Sequence, residues 1–216
     1  MLEYVLYLVV AYLIGSVPFG YLAGRLNGID LREHGSHNIG ATNAVRVLGK
    51  RWGIPVFLCD FLKGFLPLLW LKMQFGGSVA DCSTEQVIWL LLVMDALILG
   101  HTFTCFLKFR GGKGVATAAG CLLALSPAMG GVALLTWVLC MLLTRYVSLS
   151  SMVAGLAMLV ASVVEFLVLP DQVAVANVLV PAMMLLIFLL VVYKHRANIV
   201  RLCNGTEPRA FSGRKS

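Results

Sequence analysis

The chain has 216 residues, of which 60% are hydrophobic and only 12% are charged. In soluble domains about a quarter of all residues are charged. This composition therefore excludes a soluble globular protein and indicates an integral membrane protein. The formal net charge is +7, and the six cysteines form no C-x-x-C pair; we expect free thiols. We predict one membrane domain over 1–216, with a basic C-terminal tail at about 196–216 and no nucleic-acid partner.

The first apolar run, from Tyr4 to Leu13, predicts a retained helix rather than a cleaved signal peptide. Glu3 stands where a signal peptide needs positive charge, and Pro18 follows before any basic residue. Apolar runs long enough, or nearly so, to cross about 30 Å of hydrocarbon are predicted at about 3–24, 53–73, 86–106, 150–169 and 173–193. The predicted fold class is therefore an all-α integral membrane protein.

The first polar break contains a glycine-rich segment, Gly35-Ser36-His37-Asn38-Ile39-Gly40-Ala41-Thr42-Asn43. Glycine-rich turns that precede a helix expose backbone N–H groups to anions, and hydroxyl and amide side chains add hydrogen bonds. One turn further on, Arg46 offers a bidentate guanidinium. The sequence predicts a phosphate site formed by Ser36, Asn38, Thr42, Asn43 and Arg46. The alternative is an ordinary connecting loop.

A second glycine-rich segment, Gly111-Gly112-Lys113-Gly114, precedes a helix rich in small residues. It places the backbone donors of Gly111 and Gly112, and the ammonium of Lys113, at a helix N-terminus. It is not a Walker A loop, because Leu107 and Gly114 stand where that motif needs Gly and Ser or Thr. ATP hydrolysis is therefore disfavoured. The alternative is a flexible turn whose lysine reaches lipid headgroups.

The apolar stretch 114–144 allows two arrangements. It can form one helix of about 46 Å, or two short helices that turn at Ser126-Pro127-Ala128-Met129-Gly130-Gly131. With two helices, every basic residue except Lys63 and Lys72 falls on one side of the membrane, whereas one long helix puts Arg145 and the basic tail on the other side. The positive-inside rule therefore predicts two helices, tilted or kinked because each is short.

Two helices in 114–144 give seven transmembrane helices, with the N-terminus outside and the C-terminus cytoplasmic. The loops at 35–43 and 111–114, the turn at 145–151 and the segment at 195–198 then share the cytoplasmic face, while Cys82 is external. These four polar elements are predicted to converge on one site. We find no internal repeat of the kind that transporters show.

Polar residues inside the spans have two explanations. Asp60 and Lys63 are three residues apart in the second span, where each charge costs about 2.5–3.5 kcal/mol to insert, so mutual pairing or support of the active site explains them. His101 is either a general base or a packed hydrogen-bonding residue. Asp95 and Glu165 have no predicted partner.

His195 and Asn198 are three residues apart at the end of the last span, so they share a helix face near Arg201. They are candidate site residues, and a basic anchor for anionic lipid is the alternative. The anchor role is expected for the tail residues Arg209, Arg214 and Lys215.

Five motifs follow one another along nearly the whole chain: Gly15-Ser16-x-Pro18-x-Gly20, Gly35-Ser36-x-Asn38-Ile39-Gly40-Ala41-Thr42-Asn43-x-x-Arg46-x-x-Gly49-Lys50, Gly100-His101-x-Phe103, Gly111-Gly112-Lys113-Gly114-Val115-Ala116-Thr117 and His195-Arg196-x-Asn198-Ile199-x-Arg201-Leu202-x-x-Gly205-Thr206-Glu207. This series resembles the PlsY family of acyl-phosphate:glycerol-3-phosphate acyltransferases. Two positions depart from the family pattern, with His37 where Gly is usual and Thr104 where Pro is usual. Neither departure removes a side chain that the family uses.

The resemblance implies an enzyme of the bacterial cytoplasmic (inner) membrane, with its site on the cytoplasmic side among membrane lipids. It implies transfer of a fatty acyl group from acyl phosphate to the 1-hydroxyl of glycerol 3-phosphate, giving lysophosphatidic acid and phosphate, the first acylation step of phospholipid biosynthesis. We expect no cofactor, no metal and a monomer. The soluble enzyme that makes acyl phosphate is a candidate partner.

Matching positions divide the implied site residues between two substrates. Glycerol 3-phosphate would be held by Ser36, Arg46, Lys113, His195 and Asn198. The donor phosphate would be bound by Thr42, the Gly111-Gly112 backbone, Ser150 and Ser151. Lys113, Arg46 and His195 are the residues expected to be catalytic.

The expected mechanism follows from what the implied donor already supplies. An acyl phosphate is a mixed anhydride with a good leaving group, so the enzyme has to position two phosphates and neutralise charge. Soluble-type glycerol-phosphate acyltransferases have Asp five positions after His, whereas the residues five after the four histidines here are Ile39, Thr42, Phe106 and Val200. The alternative function, a transporter of a phosphorylated metabolite, would need cationic sites near the midplane and two related halves.

Overall fold

A computed structural model describes residues 2–168 and 174–210, and the regular structure in these ranges is helical. The α-helices are α1 (Leu2–Ser16), α2 (Phe19–Leu26), α3 (Ala41–Leu48), α4 (Lys50–Gln74), α5 (Thr84–Thr102), α6 (Val115–Leu125), α7 (Pro127–Thr144), α8 (Val147–Val168), α9 (Ala174–Lys194) and α10 (Arg196–Cys203). Short 3₁₀ turns occupy Val79–Asp81 and Cys105–Leu107. The predicted all-α class is confirmed for the described residues.

The chain divides into two compact units, one ending at Ser126 and the other beginning at Pro127. In the first unit α4 packs along α6, α1 packs along α5, and α3 packs on α4. The backbones of α4 and α6 approach so closely that a Cβ on Gly64 would overlap the carbonyl of Thr117. Small residues allow such close contacts between membrane helices. In the second unit α8 packs against α7 and α9.

Several helices among the described residues are long and apolar enough to cross a membrane. Five such spans are Glu3–Leu26, Lys50–Gln74, Thr84–Leu107, Pro127–Thr144 and Val147–Glu165. A sixth candidate is the pair Val178–Lys194 and Arg196–Cys203, which is bent by 59°. The predicted apolar runs thus correspond to helical segments, but the run at 3–24 is divided between α1 and α2, and the run at 86–106 extends beyond the end of α5. Positions 169 and 173 of the last two runs lie outside the described residues. The seven crossings and the orientation of the termini stay predictions.

The stretch 114–144 is interrupted, but the predicted turn at 126–131 is wrong in its extent. Only Ser126 separates α6 from α7, and residues 127–131 are already helical. Pro127 favours this helix start, because proline has no N–H to leave unpaired in a first turn. The two helices are unequal: α6 has 11 residues, about 16 Å, and α7 has 18 residues, about 27 Å, at 1.5 Å per residue.

All six cysteines lie within the described residues and are free, as predicted. Cys82 is buried, and its Sγ lies 3.2 Å from the carbonyl oxygen of Ser78. Burial raises the pKa of the Cys82 thiol. Since the thiolate is the reactive form, Cys82 is a poor target for labelling from either side of a membrane.

Candidate active site

Asn43 organises the first glycine-rich loop from the inside. Its side chain is 1% exposed, and its Oδ1 accepts a hydrogen bond from the N–H of Ser36 at 2.8 Å. Its Nδ2 donates to the carbonyls of His34 and Asn38 at 2.9 and 2.8 Å. The Asn38 side chain in turn accepts from the N–H of Gly40 at 2.8 Å. Asn38 and Asn43, predicted to bind substrate, are therefore engaged in shaping the loop.

His37 adopts the left-handed backbone conformation, with φ of 57°. A residue with a Cβ is destabilised there by about 1–2 kcal/mol, whereas Gly, usual at this position in the PlsY family, is not. The His37 Nδ1 lies 3.0 Å from the carbonyl oxygen of Arg32, which offsets part of that cost. The loop therefore retains a backbone conformation suited to glycine.

Thr42 and Arg46 lie one turn apart on α3, and both are exposed, whereas Asn43 between them in sequence is buried. Within the described ranges, no carboxylate forms an ion pair with Arg46. Ser36 is half-buried in the loop that leads to this helix. The first unit thus presents a hydroxyl and a guanidinium side by side next to a preformed glycine loop.

The second glycine-rich loop is hydrogen-bonded to the end of α5. The N–H of Gly111 donates to the carbonyl of Thr102 at 3.2 Å, and that of Gly112 to the carbonyl of His101 at 3.0 Å. These two donors, expected to bind phosphate, already have acceptors within the protein. Gly114 caps α6 with φ of 80°, and the N–H groups in the first turn of a helix have no acceptor within it.

A buried ionic cluster adjoins this loop. Asp60 Oδ1 lies 2.7 Å from Lys63 Nζ and 3.4 Å from His101 Nδ1. Lys63 Nζ also donates to the carbonyl of Val17 at 2.7 Å. The predicted pairing of Asp60 with Lys63 is confirmed, and the ring of His101 is packed against the same carboxylate.

Thr104, which stands where the family usually has Pro, connects two distant segments. Its buried hydroxyl donates to the carbonyl of Ser16 at 2.6 Å and accepts from the N–H of Phe106 at 3.3 Å. The hydroxyl therefore attaches the segment after α5 to the end of α1.

In the second unit, His195 is the N-cap of α10, at the bend that follows α9. The side chain is buried, and its Nδ1 lies 2.8 Å from the carbonyl oxygen of Val191, so Nδ1 carries a proton. The N–H of Asn198 donates to the carbonyl of His195 at 2.8 Å. This hydrogen bond has the predicted spacing of three residues, but the two residues do not both lie in the last span, because the chain bends at His195 and Asn198 belongs to α10.

Glu207 binds Asn198, although the sequence assigned this carboxylate no role. Its Oε1 accepts from Asn198 Nδ2 and from the hydroxyl of Ser148, each at 2.6 Å. Its Oε2 accepts from Arg201 Nε at 2.8 Å. Burial opposes ionisation, yet the three hydrogen bonds outweigh it and hold the pKa of Glu207 below its ordinary value. The sequence did contain a signal for such a role, because Glu207 is the single acidic residue after position 171, in a basic part of the chain.

Ser150 and Ser151, expected to bind the donor phosphate, are buried in the first turns of α8. The hydroxyl of Ser150 donates to the carbonyl of Tyr146 at 2.9 Å, and that of Ser151 to the carbonyl of Val147 at 2.8 Å. Such back-bonding to the preceding turn is common for helical serines. Each hydroxyl would have to rotate to donate to a phosphate oxygen.

Arg209 contacts the turn between α7 and α8. Its Nε donates to the hydroxyl of Tyr146 at 3.2 Å, with the guanidinium carbon 5.4 Å from the ring centroid. The N–H of Ala210 donates to the carbonyl of Arg145 at 2.7 Å. Arg209, expected only to contact lipid, therefore also packs on protein, while Arg214 and Lys215 lie outside the described residues.

The family model described as glycerol-3-phosphate acyltransferase matches residues 5–205. The chain belongs to this family. A glycerol-3-phosphate acyltransferase of Bacillus cereus (strain G9842) is 43% identical over 208 residues, covering 96% of this chain and 95% of the relative. The glycerol-3-phosphate acyltransferase of Aquifex aeolicus is also 43% identical, covering 94% of this chain and 98% of its own length.

Two crystal structures of PlsY, an integral membrane glycerol 3-phosphate acyltransferase, share the fold of this family member. The glycerol 3-phosphate form has a TM-score of 0.81 and 40% identity, covering 96% of this chain and 95% of that one. The lysophosphatidic acid form has a TM-score of 0.77 and 39% identity, with the same coverage. The predicted membership of the PlsY family is confirmed.

Proposed function

We propose that this PlsY family member transfers a fatty acyl group from acyl phosphate to the 1-hydroxyl of glycerol 3-phosphate. The observation that supports the proposal is the hydrogen-bonded first glycine-rich loop, with an exposed hydroxyl and an exposed guanidinium beside it. There the buried Asn43 shapes the glycine loop while Thr42 and Arg46 are exposed beside it on α3. The match to glycerol-3-phosphate acyltransferases over residues 5–205 supports the reaction class.

The choice of acyl phosphate as donor is supported by the histidines. None of the four is followed five positions later by Asp, the spacing that soluble-type glycerol-phosphate acyltransferases use with thioester donors. His101 and His195 are both buried, with Nδ1 facing Asp60 and the carbonyl of Val191 respectively. The proposed chemistry therefore depends on an activated donor rather than on a His/Asp pair of that spacing.

In the proposed reaction the 1-hydroxyl oxygen attacks the acyl carbon. A new ester bond forms, the anhydride bond to phosphate breaks, and the hydroxyl proton ends on the released phosphate, giving lysophosphatidic acid and hydrogen phosphate. The barrier is lowered by positioning two anionic reactants and by compensating the charge that grows on the leaving phosphate. Cations and hydrogen-bond donors are sufficient for that task.

We assign the binding residues as follows. Glycerol 3-phosphate is held by Ser36, Arg46, Lys113, His195 and Asn198. The donor phosphate is bound by Thr42, Ser150, Ser151 and backbone N–H groups that adjoin the second glycine-rich loop. Because the N–H groups of Gly111 and Gly112 already donate within the protein, the first turn of α6 supplies the further backbone donors.

The proposed site faces the cytoplasm of a bacterial cell, in the inner membrane. The charge pattern supports seven crossings with the N-terminus outside, since all basic residues except Lys63 and Lys72 then lie on one side. We propose a monomer that receives acyl phosphate from the soluble enzyme that makes it, in the first acylation step of phospholipid biosynthesis.

A donor comparison with purified protein tests this function. Acyl phosphate, acyl-CoA and acyl-carrier protein are each offered with glycerol 3-phosphate, and lysophosphatidic acid and free phosphate are measured. Acyl phosphate alone should support turnover, with one phosphate released per product and no covalent acyl-enzyme. Lys113→Ala protein is the control for background hydrolysis. Robust turnover with acyl-CoA would refute the proposed donor.

A further inference from the structure

The carboxylate of Asp60 lies between a lysine and a histidine inside the first unit. Its Oδ1 is 2.7 Å from Lys63 Nζ in α4 and 3.4 Å from Nδ1 of His101 in α5. All three side chains are buried. Because Nδ1 faces a carboxylate, it is the nitrogen that carries the proton, and the carboxylate restricts the orientation of the ring.

His101 contacts the second glycine-rich loop in two ways. Its carbonyl accepts the N–H of Gly112 at 3.0 Å, and a Cβ on Gly112 would overlap Nε2 of its ring. The neighbouring carbonyl of Thr102 accepts the N–H of Gly111 at 3.2 Å. The ring therefore fills the space that a side chain at position 112 would need. Both residues directly before Lys113 are held against the end of α5.

We propose that Asp60 and His101 form a positioning pair for the second glycine-rich loop. Asp60 orients the His101 ring, and His101 fixes the backbone at Gly112 so that Lys113 is held where the anionic substrate binds. This inference rests on the proposed role of Lys113 toward glycerol 3-phosphate. Neither member of the pair touches the substrate, and both act through Lys113.

A purely stabilising role does not explain why the pair is ionisable. Desolvation of a buried ion pair can exceed the attraction between its charges, and apolar replacements of similar volume are often neutral or stabilising. Polar groups at membrane depth add to that cost. A requirement to hold a loop in one position gives a physical reason for the polar contact between Asp60 and His101.

Lys63 complicates substitution of Asp60, because its Nζ also donates to the carbonyl of Val17 and lies 5.4 Å from the ring centroid of Phe19. Asp60→Asn alone would leave the Lys63 charge buried without its carboxylate. The double variant Asp60→Asn/Lys63→Met removes both charges together and is the better test of Asp60.

A double-mutant cycle between His101 and Lys113 tests the proposal. Steady-state kinetics for glycerol 3-phosphate are measured with whichever acyl donor the wild type accepts. His101→Ala and Asp60→Asn/Lys63→Met should each lower kcat/KM for glycerol 3-phosphate about tenfold. In a Lys113→Ala background, His101→Ala should cause less than about a twofold further loss, because coupled residues are not additive.

Two further variants make the outcome decisive. Asp95→Asn changes an acid of α5 that lies outside this cluster and should retain wild-type kinetics. His101→Asn keeps a side-chain donor toward Asp60, should recover part of the loss, and replaces His101→Ala in the cycle if that protein does not fold.

Two results would overturn the positioning role. One is an equal relative decrease in kcat/KM from His101→Ala in the wild type and in the Lys113→Ala background, which would mean that His101 does not act through Lys113. The other is wild-type kinetics in folded His101→Ala protein. If the wild type used only another acyl donor, the proposed donor would be wrong. The double-mutant cycle, measured with that other donor, would still test the positioning role of His101.

Discussion

The side-chain amide of Asn198 donates to Oε1 of Glu207 at 2.6 Å, a contact that joins α10 to the segment after it. The same oxygen accepts from the hydroxyl of Ser148 in α8, and the other carboxylate oxygen accepts from Arg201. The carboxylate of Glu207 therefore connects Asn198, a candidate substrate-binding residue of α10, with α8 and with the segment after α10.

We predict that Glu207→Ala lowers the free energy of unfolding by at least about 2 kcal/mol. The substitution removes charge-assisted hydrogen bonds of about 1.5–3 kcal/mol each and leaves buried donors without their acceptor. Thermal unfolding in detergent measures the loss. Glu33→Gln, a change at an exposed glutamate of the first unit, is the control and should leave stability unchanged.

The pH dependence of stability provides a second measurement on Glu207. Its pKa is lower in the folded state than its ordinary value of 4.5. The stabilisation is therefore present above pH 4.5 and is lost as the pH falls through the folded pKa. We expect wild-type protein to lose more stability than Glu207→Gln protein as the pH falls below 4.5. Identical pH profiles would contradict this assignment.

Arg46→Ala and Lys113→Ala should each reduce kcat/KM for glycerol 3-phosphate at least about tenfold. Each substitution removes charge-assisted hydrogen bonds of roughly 1.5–3 kcal/mol, and about 1.4 kcal/mol corresponds to one decade. Lys113→Arg should restore only part of the activity, because a planar guanidinium does not replace a compact ammonium. Arg51→Ala, an exposed control at the start of α4, should leave the kinetics unchanged.

His37→Val should destabilise the protein by about 1–2 kcal/mol, whereas His37→Gly should be nearly neutral. The position requires positive φ, which a β-branched residue tolerates poorly and glycine tolerates freely. Glycine loses the contact with the carbonyl of Arg32 but also relieves the strain. Thermal unfolding of the two variants side by side measures the difference, and equal losses would argue against backbone strain.

Two glycines in helices should respond in opposite directions to substitution by alanine. Gly64→Ala should destabilise the first unit, because its Cβ would overlap the carbonyl of Thr117 in α6. At Gly131 in α7 a Cβ would meet no atom within 4 Å. Gly131→Ala should therefore stabilise by up to about 1 kcal/mol through helix propensity. Unfolding temperatures of the two variants test the contrast.

The proposed orientation is best tested at Asp81, because it is exposed while Cys82 is buried. In an Asp81→Cys/Cys203→Ser variant, an impermeant thiol reagent should label position 81 in intact cells. The exposed Cys203 of the wild type should be labelled only after the cells are opened. Labelling of Cys203 in intact cells would reverse the orientation.

The helices follow from local properties of the chain. Apolar runs and the Ser126-Pro127 step were sufficient to predict most of the long helices, because hydrophobicity and backbone restriction act over a few neighbouring residues. The pairing of Asp60 with Lys63 was predictable for the same reason, since residues three apart share a helix face. The break at Pro18 between α1 and α2 was not predicted. The extent of the break between α6 and α7, which is Ser126 alone, was not predictable from these local properties.

The partners of the polar groups depended on tertiary packing. Motifs indicated that Gly112 and Asn43 belong to phosphate-binding loops, but not that the N–H of Gly112 donates to His101 or that the amide of Asn43 holds its own loop. A polar group binds either a ligand or another part of the protein according to which segment lies next to it. That proximity arises between residues far apart in sequence, where local patterns carry no information about distance.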